Sequence, residues 1–406
     1  MEKIKNIAFI SLIKIDHIEE RGIYTDLLRE FYNRGYNLTI IYPYERRENK
    51  KTKFYSLDGI NYLGVRSFNI QKTNVFEKGL ATIFIASILL KAIKQNLKSF
   101  NFDLIIYTTP PITFYKVIKY LKSTNNAKTY LLLKDIFPQN AVDLGLISKK
   151  GFIYSLFRRK EKQLYNISDK IGCMSPENVN YLLKNNNYII PSKVEVNPNS
   201  IHPKANFDKD IAKKILRQKF NIDTSRTIFL YGGNLGISQG VEFLIEILLS
   251  NNTKTTNAFF IIIGSGVKYK IIENCINENN LQNVLLLPFM AKADYDKLIE
   301  GCDVGLIFLN ARFTYPNFPS RLLSYLENKI PVITATDKYS DIGDIAEQNK
   351  FGIKILSGDI LNFNKALKIY INDKEKLKND GNNGYIFLNK NYTSENSYKI
   401  LISNFV

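Results

Sequence analysis

Short apolar runs recur along this chain, and between them apolar residues return every three or four positions. The short runs predict strands, and the longer period predicts amphipathic helices. In the first half the strand-like runs are Asn6–Leu12, Leu38–Tyr42, Leu104–Tyr107, Thr129–Leu133, Lys170–Met174 and Val194–Val196. Helical periodicity falls near 22–34, 76–98, 112–122 and 152–165. After a linker, Asn197-Pro-Asn-Ser-Ile-His-Pro203, the alternation starts afresh. Strands are then expected at Thr227–Tyr231, Ala258–Ile263, Val284–Leu287, Val304–Phe308, Pro331–Thr334 and Gly352–Ile355. Alternation of this kind predicts α/β architecture with parallel sheets. Its restart predicts two Rossmann-like domains facing across a cleft, and 406 residues are enough for both cores.

Chemistry is expected where strands hand over to helices. In the first domain that turn is Ser11–Gly22, with Gly22 opening the helix Ile23–Asn33. Its counterpart is Leu230-Tyr-Gly-Gly-Asn-Leu-Gly-Ile-Ser-Gln-Gly240, ahead of a helical pattern from Val241. Unpaired amides and the helix dipole at such a turn favour an anion. The loop is neither GxGxxG nor GK[ST], so a tight turn without a ligand is an equal reading of it alone. A second candidate is Pro319-Ser-Arg321, placed at a helix start after the strand Val304–Phe308. Ser320 and Arg321 there suit a diphosphate, while the plainer reading is a capping serine beside a solvated arginine. The third is Lys134-Asp135, at the carboxyl end of an apolar strand where open sheets bind ligands; Asp135 as a turn residue is the plainer reading.

Composition narrows the classes. Apolar residues make up 45% and charged residues 23%, as in folded soluble proteins. Cys173, Cys275 and Cys302 are scattered and odd in number, which excludes a disulfide framework and suits a reducing cytosol. With only His17 and His202, no histidine-rich metal site can form. Asp208-Lys-Asp210 and Asp294-Tyr-Asp296 have a cation-binding spacing but sit at helix starts, where caps and solvated charge explain them. The net charge of +18 is uneven, because residues 1–200 hold 31 Lys/Arg against 17 Asp/Glu. That half is expected to meet something anionic, although a basic, solvated surface accounts for it too. The stretch from Gly79 to Lys98 turns from apolar to basic, and Gly151–Lys162 is similar. Both are candidates for contact with an anionic membrane, against core packing as the commoner role. No run approaches the 20 or so apolar residues of a spanning helix, and the amino terminus has no signal-peptide pattern.

The pieces Arg21-Gly-Ile-Tyr-Thr-Asp-Leu-Leu28, Asp135-Ile-Phe-Pro-Gln139, Asn197-Pro-Asn-Ser200, Tyr231-Gly-Gly-Asn-Leu-Gly236, Gly264-Ser-Gly266, Leu287-Pro-Phe-Met290 and Pro319-Ser-Arg-Leu-Leu323 occur in one order over nearly the whole chain. Together they resemble the GT-B fold glycosyltransferases of family 4, most of all the bacterial capsule and O-antigen enzymes that include N-acetylfucosaminyl transferases. The resemblance implies an acceptor domain over 1–200, a nucleotide-sugar domain over 201–390 and a closing helix over 391–406 that crosses back. It implies Gly233, Asn234 and Gln239 near the donor phosphates, Phe289 and Met290 near the base, and Ser320 and Arg321 on the diphosphate. Gly22, Lys134 and Asp135 are implied for the acceptor. Family members carry two glutamates eight positions apart, and those positions here are Pro316 and Ser324. Ser324, or Glu327 from the next turn, is then left for the ribose. Gln239 stands near the position of a usual lysine, which leaves Arg321 as the main cation.

These expectations amount to a retaining, metal-independent hexosyl transfer catalysed with Asp135 and Arg321. The donor is a UDP-sugar, an N-acetylated amino sugar such as N-acetylfucosamine, and no separate cofactor is required. The acceptor is a polyprenyl-diphosphate-linked saccharide, reached from the cytoplasm by an enzyme peripheral on the inner membrane face. A GT-B sugar-nucleotide epimerase is the alternative enzyme. A nucleic-acid-binding protein would use the positive charge, but the aromatic–basic clusters of RNA modules are not evident.

Overall fold

A computed structural model describes residues 4–70, 75–204, 207–252 and 257–405, with the side chains of 75–80 left out. Two compact units emerge: Met1–His202 together with Thr393–Val406, and Pro203–Tyr392.

The first unit holds an eight-stranded sheet. Its strands are β1 (Asn6–Ile10), β2 (Asn37–Glu45), β3 (Lys53–Leu57), β4 (Ile60–Ser67), β5 (Leu104–Thr108), β6 (Lys128–Leu133), β7 (Lys170–Cys173) and β8 (Val194–Val196). They lie in the order β3-β4-β2-β1-β5-β6-β7-β8, all parallel except β3 against β4. Strand β1 is central, pairing Ile7 with Leu38 of β2 and with Leu104 of β5. Its residues alternate between two cores: Ile7 and Phe9 join that of the helix Ile23–Asn33, Ala8 and Ile10 that of the helix Val75–Asn96. Burial on both faces is why the strand reads as an unbroken apolar run. The antiparallel β3–β4 pair is an addition to the expected strands. Asp58 and Gly59 make its turn with φ of 50° and 75°, the left-handed pair that a two-residue hairpin favours.

The closing helix Ser394–Ile402 belongs to this unit and lies against the helix Ile23–Asn33. Ser394 Oγ donates to Glu30 Oε1 at 2.7 Å, and Ser397 Oγ to Asn197 Oδ1 at 2.6 Å. Asn197 of the Asn-Pro-Asn-Ser stretch is therefore a packing residue, fully buried.

The second unit holds β9 (Thr227–Asn234), β10 (Ala258–Ser265), β11 (Val284–Pro288), β12 (Val304–Phe308), β13 (Val332–Thr336) and β14 (Gly352–Leu356). Their order is β11-β10-β9-β12-β13-β14, and every pair is parallel. The chain leaves β9 in one direction for β10 and returns on its other side for β12. That reversal opens a crevice at the carboxyl ends of β9 and β12, where sheets of this kind hold ligands.

Of the two candidate membrane segments, Val75–Asn96 is a helix with Ile85, Leu89 and Ile93 buried in the core, while Ile83 and Phe84 are exposed. Lys91, Lys94 and Lys98 are exposed as well. The candidate's opening residues, 79 and 80, have side chains outside the described set. In the second segment Phe152 and Ile153 are exposed beside Lys149 and Lys150. No helix among the described residues is long and apolar enough to cross a membrane.

Candidate active site

Everything that meets at the β9–β12 reversal belongs to the second unit. Strand β9 ends in Gly233 and Asn234, both exposed, and a short turn Ile237–Gln239 leads to the helix Val241–Ser250. The loop after β12 clamps that turn: Asn310 N donates to Ser238 O at 3.1 Å and Asn310 Nδ2 to Ile237 O at 2.9 Å. Gly233 has φ of 136°, a backbone region that is essentially closed to side chains. A Cβ there would also meet Arg321 Nη2 at 3.2 Å.

Arg321 is the centre of the arrangement. It opens the helix Arg321–Glu327, stacks over the Tyr231 ring with its guanidinium carbon 4.4 Å from the centroid, and donates through Nη2 to Gln239 Oε1. Its Nη1 is enclosed and has no hydrogen-bond partner. Among the described residues no carboxylate pairs with it. A guanidinium stays charged at any working pH, so this is an enclosed cation with an open donor, the arrangement that a diphosphate satisfies. Tyr325 OH fastens the base of the site, accepting from Gly232 N at 3.2 Å and lying 3.1 Å from Leu230 O and 3.2 Å from Leu306 O as donor.

Ser320 precedes Arg321, is exposed, and makes no capping bond with its side chain. The plainer reading of a capping serine is therefore set aside. The helix it precedes has only seven residues, so its dipole is short and the charge of Arg321 matters more. Ser324 is half-buried one turn on, and its carbonyl accepts from Asn328 Nδ2 at 2.7 Å. Glu327 is placed differently from a ribose ligand. It is buried, and its Oε1 accepts from Lys204 N at 2.8 Å near the start of the unit. Phe289 and Met290 follow β11 at its carboxyl end, Phe289 with 69% of its surface exposed.

The acceptor candidates of the first unit are each held by bonds within that unit. Gly22 precedes its helix, but its amide donates to Asp26 Oδ1 at 3.1 Å. Asp26 is buried, also takes His202 N at 2.8 Å and pairs with Arg29. A carboxylate built into the first turn thus occupies the anion-attracting end of that helix, which argues against Gly22 as an anion donor. Lys134 turns inward, with Nζ donating to Asn197 O at 3.2 Å, and burial lowers its ammonium to about 7. The adjacent Cys173 thiol is pushed up to about 12 by its own burial. Asp135 follows β6, and its Oδ2 accepts from Asn140 Nδ2 at 2.9 Å.

The Asp-x-Asp pairs are in structural use. Asp208 caps its helix by accepting from the amides of Asp210 and Ile211, and Asp296 pairs with Lys292 at 2.8 Å. No group of three or more His, Cys, Asp or Glu suited to a metal occurs among the described residues. Asn310, Tyr325 and the stacking role of Tyr231 are not marked by the sequence pattern. Their types suit strand and loop packing, and only the fold places them under the turn.

The two Rossmann-like sheets define the GT-B class. Sucrose-phosphate synthase from Thermosynechococcus elongatus shares the fold with a TM-score of 0.78 and 15% identity, over 99% of this chain and 98% of that one. HepE of Anabaena, solved in complex with UDP and glucose, does so with a TM-score of 0.68 and 15% identity, over 98% and 99% of the two chains. Residues 212–387, within the second unit, match the family model of glycosyl transferases group 1. In sequence it is 24% identical over 326 residues to "Probable glycosyltransferase WbjE" of Pseudomonas aeruginosa, covering 78% of this chain and 76% of that one.

Proposed function

We propose that the protein moves a sugar, with retention of configuration, from a UDP-sugar to a lipid-linked saccharide in the assembly of a bacterial surface polysaccharide. The observation that carries the reading is Arg321, an enclosed cation with an open Nη1 beside the exposed Gly233 turn. Neighbours of the same fold bind UDP in the solved complexes, and the family model covers this unit.

In the proposed step the bond between the sugar C1 and the β-phosphate oxygen breaks. A bond from C1 to the acceptor oxygen forms on the same face, and the acceptor proton passes to the departing phosphate. Negative charge therefore grows on the diphosphate, where Arg321 stabilises the transition state more than the ground state. Gln239 acts through Arg321 by fixing its fork. Phe289 offers a face to the base, and Ser320 and Ser324 offer hydroxyls to the phosphate and ribose. Asp135 is assigned to orienting the acceptor hydroxyl. The exposed Ile83, Phe84, Phe152 and Ile153 with the neighbouring lysines support a peripheral contact with an anionic bilayer.

The test is a panel of UDP-sugars with a short-chain polyprenyl-diphosphate acceptor, the anomeric configuration of the product being read by NMR. Transfer with an unchanged anomer is expected. An inverted product would remove the same-face mechanism, and conversion of the sugar nucleotide with no acceptor would establish the epimerase instead.

A further inference from the structure

At the opposite end of the second sheet lies a cavity of about 930 Å³. It is bordered by the helix Lys209–Phe220, the segment before β9, the start of β12 and the helix Lys374–Asn391. Eight Lys or Arg residues line it against two aspartates, an excess of six. Residues 203–392, the whole unit, hold 24 Lys/Arg against 20 Asp/Glu, so the rest of the unit is slightly acidic and the charge is gathered here.

The aspartate within reach is saturated. Asp303 takes Lys213 at 2.7 Å, Arg217 at 2.9 Å and the amide of Ile228 at 2.9 Å. Arg217 keeps an enclosed Nη1 with no hydrogen-bond partner. Lys209 has only carbonyls, those of Asn328 and Lys329 at 2.9 Å each, and burial followed by the charge of Lys213 lowers it to about 7. Lys374 is lowered as well, by burial first, with Lys213 and Arg217 adding to it against Asp303. Lys214 and Lys378 stand exposed at the rim, in no ion pair with another described residue. Cations gathered this closely repel one another, and an anion of several charges relieves that repulsion.

Among the described residues no aromatic side chain lines the cavity, so they offer a nucleobase nothing to stack on. Its concavity suits a small ligand rather than a flat surface. It lies at the amino end of β9, whereas the Arg321 site is at the carboxyl end, and eight residues at ~3.3 Å each keep them about 25 Å apart. We propose that this cavity is a second anion site, taking a compact, multiply charged phosphate independently of the donor.

Pyrophosphate titrated calorimetrically into protein saturated with UDP, and into Arg321→Ala without UDP, is the experiment. One site is expected in both. The double variant Lys214→Ala/Lys378→Ala should weaken it about tenfold or more and leave the urea midpoint and UDP affinity unchanged. The Lys374→Ala variant should weaken it too. Absent binding, equal binding by the variants, or binding abolished by Arg321→Ala would each overturn the proposal. So would flotation with anionic vesicles that the double variant loses while pyrophosphate fails to bind, since the patch would then serve a membrane.

Discussion

Replacing Arg321 with alanine separates the contributions that meet at this residue. The variant removes the stack on Tyr231, the bond to Gln239 and the open Nη1 together. In the free protein these losses oppose one another. The stack is worth about 0.5–2 kcal/mol, and the bond to Gln239, whose donor is charged, about 1.5 kcal/mol, the low end for such bonds because its acceptor is neutral. Against them stands the penalty of enclosing a cation with an unmet donor, about 1–3 kcal/mol. The net change in unfolding free energy is therefore expected to be small, within about 1 kcal/mol. With UDP bound the balance differs, because a charge-assisted bond worth about 1.5–3 kcal/mol is lost outright, which is roughly a 10- to 150-fold rise in Kd.

Turnover should fall further than affinity. The departing diphosphate gains charge as the bond breaks, and removal of one preorganised donor typically lowers kcat about 100- to 1,000-fold. Arg321→Lys keeps the charge but loses the planar fork, so it should recover part of the affinity and little of kcat. Calorimetry with UDP, urea unfolding and steady-state kinetics read the three quantities separately. A Kd for UDP within twofold of wild type in Arg321→Ala would falsify the placement of the diphosphate at this guanidinium.

Transfer is expected to continue in excess EDTA, since the cation on the diphosphate is a side chain; complete loss restored by magnesium would contradict that. Lys134→Met tests an enclosed ammonium with a carbonyl for its partner. Its folded pKa of about 7 lies below the unfolded value of 10.5, so wild-type stability should rise between roughly pH 7 and 10.5, where only the unfolded chain holds the proton. The methionine variant should gain on the order of 3 kcal/mol over wild type at pH 6.5 and lose that advantage by pH 10 in urea unfolding; an equal difference at both pH values would refute the burial argument. Changing Lys91, Lys94 and Lys98 to Glu should release protein from anionic vesicles, each lysine contributing ~1 kcal/mol near the surface. Transfer to a short soluble acceptor should be spared, and equal flotation of wild type with neutral vesicles would leave these lysines as a solvated face.

Much of the α/β alternation could be read because central parallel strands bury both faces, and their apolar runs stand out. Strand β12, Val304–Phe308, was bounded correctly for that reason. The same continuity hides direction. Leu131, Leu132 and Leu133 are all buried, so nothing in the pattern says on which side Lys134 leaves the strand. Strand β3 is partly exposed and its alternation is weak, although the Asp58-Gly59 turn signal was present. The bond between Gln239 and Arg321 spans 82 positions and depends on β9 and β12 lying side by side. Spacing cannot supply that kind of information. Asp26 was visible as an acidic residue in a first turn, but its burial and its bond to Gly22 belong to the packed structure.

The neutral residue at 239 has a physical consequence of its own. Gln239 Oε1 accepts from the guanidinium, so it aims the cation without opposing it. A lysine in its place would set two positive charges about 4 Å apart, a repulsion of roughly 4 kcal/mol at an effective dielectric constant of 20. In the free protein no carboxylate among the described residues pairs with Arg321 to absorb that repulsion. A bound diphosphate carries enough negative charge to turn it into attraction. Gln239→Lys is therefore expected to lower the melting temperature without ligand, yet to show a larger stabilisation by saturating UDP than wild type does. Differential scanning calorimetry with and without UDP reads both shifts. If the variant melts as wild type does in each condition, the ammonium has swung into solvent, and the turn does not enclose its cation as the geometry describes.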